Sequence, residues 1–191
     1  MAMSQGTSAG SGLPNVRIGA AIAVAIAIAF VAWLLVRGND DGSKASTAAQ
    51  PIGPTAASQS RLQEIATEAG HPIYWIGPKE GATYELTRTS NGRVFVRYLP
   101  HDVAIGARQP NYTIVGTYPV SNALKVLQEL GKKPGESTFS APHGGFAVYD
   151  GSHPTNVYLA YPGSNLQIEV FDPSPERARK LITSGAVAPV G

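Results

Sequence analysis

The sequence predicts an α+β domain tethered to a bilayer by one N-terminal transmembrane helix. Three observations carry that expectation. Residues 18–36 read IGAAIAVAIAIAFVAWLLV, without a charge, between Arg17 and Arg37. Downstream of Ser60, apolar and polar residues alternate with the period of strands between Gly, Pro and Asn turn signals. Three other segments carry apolar residues at helical spacing, each opened by a serine and closed by a glycine. With 191 residues the chain has room for an anchor and one ordinary domain.

The anchor rests on length. A helix over residues 18–36 would be about 28 Å long, close to the hydrocarbon thickness of a bilayer, and in lipid only a helix satisfies its own backbone. Trp33 near its carboxyl end suits the headgroup region. A cleaved signal peptide is the alternative; the apolar stretch is long for one, only Arg17 precedes it, and no small-x-small site comes directly after it. Arg17 on one flank and Arg37 and Lys44 on the other give the positive-inside rule no clear vote on orientation. The stalk-like composition of residues 38–59 favours an external domain.

Four regions are expected: a disordered N-terminal segment (1–16), a transmembrane helix (17–37), a flexible stalk (38–59) and a soluble domain (60–191). The stalk is built from Gly, Asp, Ser, Ala, Thr, Pro and Gln, with Ile52 as its single large aliphatic residue, too little to form a core.

Within the domain, Ser60 opens a helix carrying Leu62, Ile65, Ala66 and Ala69, stopped by Gly70. A short apolar run at 73–76 precedes TYELTRT and RVFVRYL, which flank Ser90-Asn91-Gly92-Arg93. Asn-Gly between such runs signals a type I′ hairpin. YTIVGTY is another strand, and SNALKVLQELG a helix with Ser121 as cap, Ala123, Leu124 and Leu127 inward and Gly131 as stop. FAVYD, NVYLAY and LQIEVFD read as three more strands; the last alternates Leu166, Ile168 and Val170 with Gln167 and Glu169. Ser174-Pro175-Glu176 caps a final helix that docks through Leu181 and Ile182 and ends before Gly185. The expected product is a mixed, mainly antiparallel sheet with about three helices. Two halves, from Ser60 to Pro100 and from Ser121 to Pro173, repeat the order helix, strand, hairpin. A shift of 73 positions lays Leu86 on Leu159 and Pro100 on Pro173, either a pseudo-repeat or ordinary alternation. If it is a repeat, the helices share one side of a common sheet.

Chemistry is harder to read. The chain has 15 Lys and Arg against 13 Asp and Glu. Arg17, Arg37 and Lys44, and Asp40 and Asp41, precede Ser58, which leaves 12 bases and 11 acids in the folded part. No basic surplus points to nucleic acid. The absence of cysteine excludes disulfides, thiolate metal sites and a Cys nucleophile. All four histidines adjoin prolines, with no i, i+4 pair, so no metal or cofactor is expected; His143, in Pro-His-Gly-Gly, is the one placed where the backbone is flexible. No G-x-S-x-G elbow or P-loop occurs. Glu85 and Glu169 could be imagined as a carboxylate pair for glycoside hydrolysis, but strand carboxylates are more often solvent-facing. Asn111-Tyr112-Thr113 matches a glycosylation acceptor, a common pattern.

The eight tyrosines, all between Tyr74 and Tyr161, distinguish the folded part. A two-residue hairpin loop would oppose Arg88 to Phe95 and Leu86 to Arg97, placing Tyr84, Leu86, Arg88, Phe95, Arg97 and Leu99 on one face. Arg88, Arg97 and Tyr84 on a sheet face, or Trp75 and His143 in loops, are the candidate binding residues, since aromatic and guanidinium groups are enriched at interfaces. The competing reading has the two arginines covering aromatic neighbours on a solvated side. The anchor, the Ala/Gly/Pro-rich stalk and the Cys-free domain together resemble the architecture of bacterial envelope proteins. The expected function is a noncatalytic, membrane-anchored extracytoplasmic binding module. Its partners would be membrane lipid, through the N-terminal helix, and an envelope protein or wall polymer. An envelope enzyme without a recognisable motif and an accessory subunit of a membrane complex are the alternatives.

Overall fold

The computed structural model describes residues 50–191. The segment 18–36, on which the expected anchor rests, lies outside them, as do residues 1–16 and most of the stalk. Among the described residues no helix is long and apolar enough to cross a membrane.

Ten strands and three helices make up the described fold: β1 (Ile52–Ala57), α1 (Gln59–Ala69), β2 (Tyr74–Trp75), β3 (Ala82–Arg88), β4 (Val94–Pro100), β5 (Ile114–Pro119), α2 (Ala123–Leu130), β6 (Glu136–Ala141), β7 (Gly145–Asp150), β8 (Asn156–Ala160), β9 (Leu166–Phe171), α3 (Pro175–Thr183) and β10 (Ala188–Pro189). Eight strands form one sheet in the order β1-β3-β4-β5-β9-β8-β7-β6, every pairing antiparallel; β2 and β10 form a small second sheet. An α+β fold dominated by its sheet is therefore present.

The order is symmetric about the β5–β9 seam, each half laying four strands from outer edge to centre in chain order. That symmetry matches β3 with β7 and β4 with β8, whereas the 73-position shift lays β3 on β8 and β4 on β9. Three strands are not expected from sequence: β10, in the small sheet, and β1 and β6, the outer edges of the large one. β1 occupies the end of the anticipated stalk, and its side chains are mostly exposed, so pairing with β3, not core burial, holds it. β6 (ESTFSA) carries too little apolar alternation to announce itself.

Helices cover both faces, not one. Leu62 and Ile65 of α1 and Ala178 and Ile182 of α3 pack with Leu86, Val94, Val96, Val157, Leu159, Ile168 and Val170, together with Tyr74 and Trp75 of β2. Leu127 and Leu130 of α2 pack on Val148, Tyr158 and Ala160, the alternate residues and hence the opposite face. The caps differ in detail from expectation. Ser58, not Ser60, accepts the Arg61 N–H at 3.1 Å. Asn122, in the left-handed region, precedes α2 without a side-chain bond. Ser174 caps α3 as expected.

The β3–β4 hairpin departs from its expected register by one residue. Gly92 has φ 77°, while Asn91 is not left-handed. Thr89 N–H donates to the Arg93 carbonyl and Gly92 N–H to the Thr89 carbonyl, closing a three-residue loop with glycine in its left-handed position. Arg88 therefore opposes Val94 and Leu86 opposes Val96, with Glu85 opposite Arg97. A slip of one residue exchanges faces. Arg88 and Arg97 consequently lie on opposite sides of the sheet.

Candidate functional site

Each arginine singled out from the sequence is engaged in internal contacts. Arg88, 7% exposed, donates from Nε to the Gln50 carbonyl at 2.8 Å and reaches Glu68 of α1 at 3.2 Å. Arg97 pairs with buried Glu85 at 3.1 Å, donates to the Ala107 carbonyl and lies 5.4 Å from the Tyr112 ring centroid. Its buried Nε has no hydrogen-bond partner among the described residues. Tyr84 meets Trp75 and Tyr98 edge-on, at 5.7 and 5.2 Å between ring centroids, on the α1 face. Trp75 is buried. His143, exposed and with φ 58°, sits on the turn joining β6 to β7. Trp75 and Tyr84 are thus brought together; Arg88, Arg97 and His143 are not.

The face opposite α1 is covered in two pieces. Over the first half lies the segment between β4 and β5, fastened by Arg97 and by the Gly106 N–H, which donates to Glu85 at 2.5 Å. Over the second half lies α2. Between the two covers the strip is half open. Phe95 on β4, Ile114 on β5, Glu169 and Phe171 on β9 and Asn156 on β8 are all half-buried. Register makes them neighbours: Phe95, Gly116 and Glu169 share one row, and Ile114, Phe171 and Asn156 the next.

Glu169 is the chemical centre of this strip. Tyr118 donates its hydroxyl to Oε2, and the Asn156 amide donates to Oε1. Gly116 makes the first bond possible: a Cβ built there would stand 2.6 Å from the Tyr118 hydroxyl oxygen. The ring of Tyr118, two residues on, lies back across the glycine to reach the next strand. Phe95 packs edge-on against it at 5.6 Å, and the Arg93 guanidinium lies 5.6 Å from its centroid. Burial pushes the Glu169 carboxyl above its ordinary range, against the opposing effects of Tyr118, Asn156 and Arg93. The Tyr118 hydroxyl is raised in turn by burial and by Glu169. On the second half, burial and the charge of Asp150 raise Glu136.

Other ionised groups serve architecture. Asp172, fully buried, accepts Thr113 Oγ1 at 2.6 Å, Arg177 Nε at 2.9 Å and Ser174 N–H at 2.9 Å, joining the starts of β5 and α3. The bond to Thr113 also occupies the hydroxyl of the Asn111-Tyr112-Thr113 pattern. Glu85 and Glu169 are three strands apart in the sheet, about 14 Å, too far for the carboxylate spacing of a glycosidase. Among the described residues no group of three or more His, Asp or Glu could hold a metal.

Sequence reasoning missed Tyr118, Asn156 and the central role of Glu169. The available signal was Gly116 inside a strand, two residues before an aromatic, since such a glycine marks close approach. No family model, curated protein or solved structure matches the chain.

Proposed function

We propose that the chain is a membrane-tethered, noncatalytic binding module, and that its ligand contacts the half-open strip around Glu169. The observation that carries the binding reading is the position of this carboxyl. It is held by two neutral donors, raised by burial, and placed where the sheet is left half covered by apolar residues. Burying a carboxylate to which no cation is hydrogen-bonded lowers stability, and a carboxyl shifted by burial at a half-open site is a candidate functional group. The tether rests on the uncharged apolar run at 18–36.

The external orientation is tested by labelling a tag placed after Gly191 with a membrane-impermeant reagent. In intact cells the chain is expected in the membrane fraction with its tag labelled. A tag protected until the membrane is opened would reverse the orientation, and a chain found free of membranes would remove the anchor.

A further inference from the structure

Resting on that reading, we infer that the strip takes a small ligand with a primary ammonium group on an aromatic or branched apolar body, the ammonium seated on the Glu169 carboxylate. Three features lead there. Among the described residues Glu169 accepts hydrogen bonds from Tyr118 and Asn156 only, both neutral, and an ionised carboxylate has further lone pairs for a donor. No guanidinium is hydrogen-bonded to the carboxylate among the described residues: Arg97 pairs with Glu85, Arg177 pairs with Asp172, and Arg93 rests over the Tyr118 ring, from which its charge acts on Glu169 only as a minor effect beside burial. Arg93 precedes β4 at the hairpin end, whereas Asn156 and Phe171 lie one register step the other way from Glu169. That leaves the Asn156 side of the carboxyl for a cation.

The apolar part of the ligand has a matching place. Phe171 comes two residues after Glu169 on the same strand face, about 7 Å along it, and Ile114 stands directly opposite Phe171. Both are half-buried. A charge and a ring separated by a two-carbon link span that distance. A negatively charged ligand would meet the carboxylate instead, and a neutral one would leave it without a cation in direct contact.

The test uses the full-length chain in detergent, titrated with 2-phenylethylammonium, 2-phenylethanol and phenylacetate, and read from amide shifts at Gly116, Glu169 and Phe171. The ammonium ion is expected to bind at least about tenfold more tightly than the alcohol, with phenylacetate weakest. In Glu169→Gln that preference should vanish, the ammonium ion binding no more tightly than the alcohol. Equal binding of ammonium and alcohol at the strip would overturn the inference and leave the strip as a binding surface. Ammonium binding that survives Glu169→Gln would overturn it as well. Shifts absent from the strip with all three probes would overturn the inference and the reading beneath it.

Discussion

At the scale of single residues, Gly116 and Glu169 depend on each other. The glycine lets Tyr118 cross its own strand, and the hydroxyl then reaches the carboxyl. Gly116→Ala should displace the ring and destabilise the domain by about 1–3 kcal/mol, measured by denaturant unfolding. Loss of the Tyr118 bond should also move the Glu169 carboxyl still higher, seen by carbon NMR. An alanine variant of unchanged stability and titration would show that the tyrosine reaches Glu169 by another route. Of this, only the glycine inside a strand, two residues before an aromatic, was legible from residue types. Glu169 occupies the polar phase of an alternating strand, the same phase a solvent-facing glutamate would occupy. Only the sheet's partial cover distinguishes the two.

At the scale of elements, sequence reasoning succeeds where one local signal decides the outcome. Gly70 in the left-handed region ends α1, Ser174 and Pro175 open α3, and the alternation of 166–170 becomes β9. It fails where several turn geometries share a signal. Asn-Gly suits a two-residue I′ loop, but here only the glycine takes positive φ. Gly92→Ala should therefore destabilise by about 1–2 kcal/mol, while Asn91→Ala should cost much less; comparable losses at both positions in thermal melts would restore the I′ turn. The one-residue slip explains why the predicted hairpin face dissolved. Edge strands were invisible for a related reason: β1 and β6 are held by ladder bonds on one side, which leave little imprint on apolar pattern.

At the scale of the whole molecule, the two four-stranded halves are joined across β5 and β9, and the core ignores the boundary. Leu86, Val94 and Val96 from the first half pack with Val157, Ile168 and Val170 from the second. One unfolding transition is expected, with fluorescence of Trp75 in the first half and near-ultraviolet dichroism changing together. Two separated transitions would mean that the halves are independent domains. The strip around Glu169 lies across the same seam, so it exists only when both halves are assembled.

The stability of Glu169→Gln against the parent chain, followed by denaturant unfolding from pH 4 to pH 8, tests the functional role of this carboxyl most directly. Because folding raises the carboxyl above its ordinary value of 4.5, its favourable contribution is complete below that value and is lost as pH rises through the folded-state value. Glutamine carries no charge to bury. The variant should match the parent near pH 4 and become the more stable of the two toward neutral pH. A variant less stable than the parent at neutral pH would make Glu169 a structural residue like Asp172, and would contradict its assignment as the centre of a ligand site.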